Sequence, residues 1–190
     1  MKKVEKGEFG YINDQRKRYM TKIILYIVIA VAIFFIGLLL NKFDKANIFT
    51  VFAILVVLPW ARAVVGYVVL WKHHSVTKES YDKVSSVIRE DQKLYTDMVI
   101  TSPEKIMELD YIVKGQGTVI ALAGTKGQDI KYIQDYLTKG CRNWASDYTV
   151  KIYDSGMEEK FIRAIKNMPV HEVEEKEEED VMAYLHSLIV

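Results

Sequence analysis

The turn Gly124-Thr125-Lys126-Gly127, just before a predicted helix, has the residue types of a phosphate-binding turn. Glycines let the backbone approach a ligand closely, and the free N–H groups of a helix N-terminus attract anions. Gly124, Thr125 and Gly127 are therefore candidate binding residues. The sequence contains neither a Walker pattern nor a Gly-x-Gly-x-x-Gly run. A tight strand-to-helix connection, in which a glycine supplies a positive φ, remains the structural alternative.

Arg62 is a second candidate for function, because it lies in a long apolar run together with Pro59. An arginine inside a membrane is costly and by default suggests a functional site, here in a small oligomeric channel or transporter subunit. Its long side chain can instead reach toward lipid headgroups or water. Pro59 removes one helical hydrogen bond and is expected to kink the helix.

The other reactive side chains form no recognised catalytic pattern. Cys141 and Ser155 have no histidine nearby in sequence, and His171-Glu172 lacks the second histidine of a zinc-protease helix. The chain contains one cysteine, so an internal disulfide is excluded, which fits a reducing compartment.

Two apolar runs occupy residues 23–40 and 48–71. The first has no charged residue and approaches the ~20 residues needed to cross a ~30 Å hydrocarbon layer. The second is longer and carries one charge, and the polar residues 41–47 between the runs fit a tight reversal. These features predict two transmembrane helices within a membrane segment at residues 22–72. A hairpin of buried apolar helices is the alternative.

The basic residues near the apolar runs predict the orientation of the hairpin. The N-terminal segment 1–21 and the residue that follows it contain Lys2, Lys3, Lys6, Arg16, Lys17, Arg18 and Lys22. The connecting turn contains only Lys42 and Lys45, which Asp44 partly offsets. The positive-inside rule then keeps both termini in the cytoplasm, on a multi-pass protein of the cell (inner) membrane. No small-x-small cleavage site follows Leu40, so we interpret the first run as an uncleaved anchor.

The sequence from residue 76 to residue 169 has the pattern of a cytoplasmic α/β domain. Thr77 is the predicted N-cap of its first helix. Strands are predicted at 94–101, 106–114, 118–123 and 148–153. A helix is predicted at about 128–139, with Gly140 as its stop signal. The last helix of the domain is predicted to start at the capping box Ser155-Gly156-Met157-Glu158 and to end at Pro169.

The C-terminal segment 170–190 begins with an acidic run, which we interpret as a solvated helix start. Apolar residues at 181, 182, 185, 188 and 189 then predict an amphipathic helix. This helix is expected to dock on its own domain or on a partner. The hairpin and this helix are the predicted surfaces for a protein partner or a homo-oligomer, beside the lipid bilayer. The net charge of +1 gives no reason to expect bulk attraction to nucleic acid.

The element order from Thr77 and the segment 107–114 resemble the PD-(D/E)XK nuclease superfamily, including its nuclease-related and Holliday-junction-resolvase-like members, in a degenerate form. The resemblance covers residues 94–153. Glu108 and Asp110 match the acidic residue that the family carries on its second strand, and Lys126 falls near the family's lysine. In such enzymes carboxylates hold Mg²⁺ beside the scissile phosphate, and the lysine positions or activates water.

The chain departs from the family at the second acidic position of the motif. Residues 121–126 contain no Asp or Glu. Some members of the superfamily carry this acid on the following helix, where Asp129 lies. The resemblance therefore implies Glu108, Asp110, Lys126 and Asp129 as catalytic residues, with Asp110 and Asp129 as ligands of Mg²⁺.

Three functions follow from the sequence. The first is an integral membrane protein whose cytoplasmic α/β domain is a non-catalytic binding or scaffold module without a cofactor. The second is a membrane-tethered, metal-dependent nuclease of the PD-(D/E)XK type, with nucleic acid as its partner. The third is a small oligomeric channel or transporter subunit that uses Arg62.

Overall fold

A computed structural model describes residues 4–42, 44, 47–171 and 173–189. Lys2 and Lys3 of the predicted basic cluster, Lys45 of the turn and Glu172 of the acidic run lie outside these ranges. The chain divides into two units: Met1–Ile12 with His74–Val190, called the α/β unit below, and Asn13–His73, called the apolar unit.

The secondary structure confirms the predicted order of helix, three strands, helix, strand and helix after the apolar runs. The helices are α1 (Tyr11–Leu40), α2 (Ile48–Leu55), α3 (Val57–Trp71), α4 (Lys78–Ser85), α5 (Ile130–Arg142), α6 (Glu158–Lys166) and α7 (Glu175–Leu188). The strands are β1 (Lys93–Thr101), β2 (Ile106–Gly115), β3 (Thr118–Ala123) and β4 (Thr149–Tyr153).

The four strands form one mixed sheet in the order β1-β2-β3-β4. The first two neighbouring pairs are antiparallel, and β3 and β4 run parallel with α5 as their crossover. All six residues of β3 are buried, as its run of apolar residues predicts for a strand covered on both faces. The sheet therefore divides the α/β unit into two layers of side chains.

Each face of the sheet packs against its own helices. On one face, α5 and α7 contribute Ile133, Leu137, Val181 and Leu185 to a core with Leu109, Ala121 and Val150. On the other face, α4 and α6 contribute Val84, Phe161 and Ile165 to a core with Tyr111, Ile120 and Leu122. Because alternate residues of a strand point to opposite faces, β4 sends Val150 and Ile152 inward and leaves Thr149 and Lys151 exposed.

The C-terminal helix packs on its own α/β unit. Of the two predicted arrangements, docking on its own domain or on a partner, the structure shows the first. The interpretation of its acidic start as simply solvated is wrong for Glu178. This side chain forms an ion pair with Lys114. It also accepts a hydrogen bond of 2.9 Å from the backbone N–H of Gly117. Glu178 thereby ties α7 to the turn between β2 and β3.

Two predicted helix boundaries are wrong. The α5 helix does not stop at Gly140 but continues to Arg142, because Gly140 lies buried against the ring of Tyr184 from α7. The predicted capping box does not form, since the residue at the N-cap of α6 is Met157 and makes no side-chain cap bond. The Ser155 backbone N–H instead donates to Asp154 Oδ1 at 2.8 Å.

The two apolar helices differ in detail from their predicted bounds. The first helix starts at Tyr11 rather than near Ile23, so part of the segment predicted as a basic N-terminus is helical. This part contains no glycine or proline, and the i,i+4 ion pair between Asp14 and Arg18, at 2.6 Å, supports it. The second apolar run is interrupted at Val56. Pro59 has no backbone N–H to donate, and its ring clashes with the carbonyl group four residues earlier in the helix. These two effects explain a break just before Pro59.

Candidate functional site

The predicted acidic residues Glu108 and Asp110 lie together on β2, beside the turn that follows β3. A Cβ atom at Gly124 would lie 2.5 Å from Asp110 Oδ1 and 2.8 Å from Glu108 Cγ, so the close approach of these side chains requires glycine there. The Thr125 hydroxyl donates a hydrogen bond to Glu108 Oε2. The side-chain amide of Gln128 bonds the backbone N–H and carbonyl of Glu108 at 2.9 and 2.8 Å. These contacts fix the turn against β2.

Asp110 occupies a β-bulge in a half-buried position. The pairing of β2 with β3 shifts by one residue between Leu109 and Tyr111, which leaves Asp110 as the extra residue. Within the described ranges, its carboxylate accepts no hydrogen bond and forms no ion pair. Burial raises the pKa of Asp110 to about 6, and the negative charges of Glu108, Asp97 and Glu158 add to this rise. A half-buried carboxylate with a raised pKa is found often at functional sites.

Asp97 lies opposite Asp110 in the register of β1 and β2, where neither residue takes a regular pair. Its backbone is left-handed, with φ of +56°, a conformation that aspartate tolerates. The carboxylate is 2% exposed and accepts hydrogen bonds of 2.9 Å from the N–H groups of Gly10 and Val76. Burial raises the pKa of Asp97, while hydrogen bonds from Ser75, Val76, Gly10 and Ile12 oppose the rise. Asp97 therefore joins the start of α1 and the segment before α4 to the sheet.

The structure places Asp129 at the start of α5. Its carboxylate is the N-cap of α5, accepting from the Tyr132 N–H at 3.0 Å, and it forms an ion pair of 2.9 Å with Lys105. The hydrogen bond from Lys105 is the main cause of its lowered pKa. Asp129 is not among the charges that raise the pKa of Asp110. Among residues 4–42, 44, 47–171 and 173–189, no group of three His, Cys, Asp or Glu residues is placed to hold a metal ion.

The turn between β3 and α5 has the geometry of the structural alternative. Gly127 has a positive φ of +79°, which lets the chain reverse tightly into the helix. The Asp129 carboxylate accepts a hydrogen bond from one of the N–H groups at the start of α5. That N–H group is therefore not available to donate to a bound phosphate. Lys126 is exposed in this turn.

The apolar unit holds the two residues predicted for a membrane role. Arg62 and Pro59 both lie on α3 and are exposed. In this unit α2 and α3 continue almost as one helix, since the Trp60 N–H still bonds the Val56 carbonyl at 3.2 Å. The break at Val56 is therefore local.

A groove on the face of the sheet that carries α6 was not found by sequence reasoning. It has a volume of about 560 Å³. Its floor and walls are formed by Thr118, Ile120, Thr149, Lys151, Tyr153, Lys160, Arg163, Ala164, Asn167 and Pro169, and this set is called the basic groove below. No Asp or Glu belongs to it. Its positive charge comes from one residue of β4 and two of α6.

Two elements position the basic groove. The spacing of Lys160, Arg163, Ala164 and Asn167 is i, i+3, i+4, i+7, so they lie along one face of α6, beside the buried face that carries Phe161. Thr149 and Lys151 of β4, the last strand of the sheet, are exposed and line the same groove. The i, i+3 pair of cations on α6 was a visible signal, but its meeting with Lys151 needs the tertiary structure.

Comparisons with protein-family models, with curated proteins and with solved structures found no match to this chain.

Proposed function

We propose that this chain is an integral membrane protein in which α1 and the helix formed by α2 and α3 each cross the bilayer. The α/β unit then acts on the cytoplasmic side as a binding module. The basic groove supplies the binding surface. Its open form and its set of cations without a lining carboxylate suit recognition of an anionic partner.

The observation that carries the membrane assignment is the exposure of the apolar helices. In each span only 6% of the most apolar window is buried within the protein. A core helix of a soluble protein would be mostly buried, so this exposure argues against the alternative of a buried hairpin. The spans contain 30 and 24 residues. Helices of these lengths extend about 45 and 36 Å, enough to cross a hydrocarbon layer of about 30 Å.

The orientation follows from basic residues at the two ends of the hairpin. Arg16, Lys17, Arg18 and Lys22 precede the membrane part of α1, whereas the turn between the spans offers fewer cations. This asymmetry favours retention of the N-terminus on the cytoplasmic side. Two spans then place the α/β unit on the same side.

Labelling of single introduced cysteines tests this topology. Burial raises the pKa of the native Cys141 thiol to about 12, so it should react poorly at pH 7. A membrane-impermeant maleimide added to sealed right-side-out vesicles is expected to label an Asp44→Cys variant and not a Lys131→Cys variant. Inverted vesicles should give the reverse pattern. Labelling of Lys131→Cys from outside, or release of the protein from membranes without detergent, would contradict the proposal.

A metal-dependent nuclease is the second candidate, favoured by the unpartnered carboxylate of Asp110 beside Glu108. The full chain in nanodiscs, incubated with Mg²⁺ or Mn²⁺ and with DNA or RNA, should then cleave the nucleic acid. Cleavage should be lost in Asp110→Asn and retained in Asp135→Asn, which changes an exposed carboxylate on α5. Absence of cleavage with both metals would remove this candidate.

A further inference from the structure

We propose that the basic groove binds an organic phosphate, with Lys151, Lys160 and Arg163 holding the phosphate and Thr118 donating to it. This inference deepens the binding role proposed above, because it names the chemical class of the ligand. It does not depend on the membrane topology.

The charges of the groove indicate a multiply charged anion. Its three cations have no carboxylate partner among the described residues, whereas Lys83, Arg89, Lys105 and Lys114 each form an ion pair. Like charges on neighbouring positions of a helix repel one another, so an anion bound between Lys160 and Arg163 would offset that repulsion. An arginine fork matches two phosphate oxygens at once, and lysine adds point charge.

The hydroxyl of Thr118 is a second and independent observation. Thr118 is 2% exposed and lines the groove, and among the described residues its Oγ1 has no hydrogen-bond partner. A buried hydroxyl without a partner is unfavourable, so a phosphate oxygen that reached this hydroxyl would gain a hydrogen bond.

The size and lining of the groove favour an organic ligand over inorganic phosphate. A volume of about 560 Å³ lies within the range of small-molecule sites and exceeds the volume of one phosphate group. Ile120, Ala164 and Pro169 supply apolar surface beside the cations, and the ring of Tyr153 lies 5.1 Å from Lys151 Nζ. Such a surface suits a phosphate attached to a carbon framework, either a soluble metabolite or the headgroup of a phosphorylated lipid.

Binding to the full chain in phosphatidylcholine nanodiscs tests the proposal. ADP is the soluble probe, measured by calorimetry, and vesicles of phosphatidylcholine with phosphatidate are the lipid probe, measured by co-flotation. Saturable binding of at least one probe is expected. The double variant Lys160→Gln with Arg163→Gln should weaken it at least tenfold, since each charge-assisted hydrogen bond contributes about a tenfold factor or more. Thr118→Val should weaken it about three- to tenfold.

Two matched controls separate ligand binding from changes of the fold. Lys166→Gln removes the same charge from the same helix outside the groove and should change the affinity less than twofold. Thr96→Val removes another buried hydroxyl without a partner, on β1, and should leave binding unchanged. Binding of neither probe, or equal binding by wild type and the double variant, would overturn the inference. The cysteine-labelling pattern would not change in that case, so the membrane proposal is tested separately.

Discussion

Replacement of Asp110 by asparagine is expected to raise the free energy of unfolding by about 2–3 kcal/mol at pH 8, because it removes a carboxylate whose ionised form is unfavourable in the fold. The folded pKa of this group is about 6, against an ordinary value of 3.8. Asparagine has nearly the same shape and carries no charge, so the nearby carboxylates no longer repel it. The measurement is a urea titration of the full chain in nanodiscs, followed by pulse proteolysis of the α/β unit.

The sign of the pH dependence follows from the direction of the shift. Between about pH 4 and pH 6 the folded protein holds the Asp110 proton while the unfolded chain has released it. The wild type therefore loses stability as the pH rises through this window and remains at the lower value above it. The Asp110→Asn variant should lack this slope, and its stability at pH 4 should nearly equal that of the wild type.

Asp129→Asn is the matched control for this prediction. Asp129 has a lowered pKa, so its ionised form is favoured in the fold and its replacement should not raise stability at pH 8. An unchanged or lower stability of Asp110→Asn at pH 8 would contradict the assignment of Asp110 as a strained carboxylate. A gain in stability together with a loss of binding or cleavage would mark Asp110 as a functional residue, since such residues are often destabilising.

Replacement of Asp97 by alanine is expected to lower the free energy of unfolding by about 3–5 kcal/mol. The part-buried N–H groups of Gly10 and Val76 would lose their acceptor, at a cost of about 1–3 kcal/mol each. Alanine is also strained at a φ of +56°, which adds about 1 kcal/mol. Relief of the repulsion of Asp110 offsets part of this loss. Hydrogen exchange of the Gly10 and Val76 amides should become much faster.

Three further variants test the separate causes of the Asp97 effect. Asp97→Asn keeps one acceptor oxygen and tolerates the left-handed backbone, so its loss should be smaller than that of alanine. Asp97→Gly removes both acceptors without the backbone strain and should lie between the two. Asp147→Ala changes an exposed aspartate before β4 and should have little effect. Unchanged exchange at Gly10 and Val76 in Asp97→Ala would show that this carboxylate does not hold the two segments.

The sequence alone determined the features that depend on neighbouring residues. The strands were predicted to within one residue because short runs of apolar and β-branched residues and the turn at Gly115-Gln116-Gly117 are local signals. Thr77 was correctly predicted as an N-cap, and its Oγ1 accepts from the Ser80 N–H at 3.3 Å. The two apolar helices were predicted from their length and from having at most one charged residue each, and both properties can be read from a short segment of sequence.

Contacts between residues far apart in the chain decided the rest. The Asp129 carboxylate pairs with Lys105 across 24 positions, which no spacing rule within an element reveals. Gly140 is buried because the ring of Tyr184 packs on it, so a residue that ends many helices lies inside this one. Asp97 accepts hydrogen bonds from the backbone N–H groups of Gly10 and Val76, which come before and after the apolar unit in the sequence.

The basic groove shows the same division within one site. Helix periodicity already determined that Lys160 and Arg163 share a face of α6. Strand periodicity determined that Lys151 lies on the face of β4 opposite to Val150 and Ile152. Only the tertiary structure decided that these faces meet above Thr118. The physical reason is that periodicity fixes which side of an element a residue occupies, whereas the packing of the whole chain selects what that side encounters.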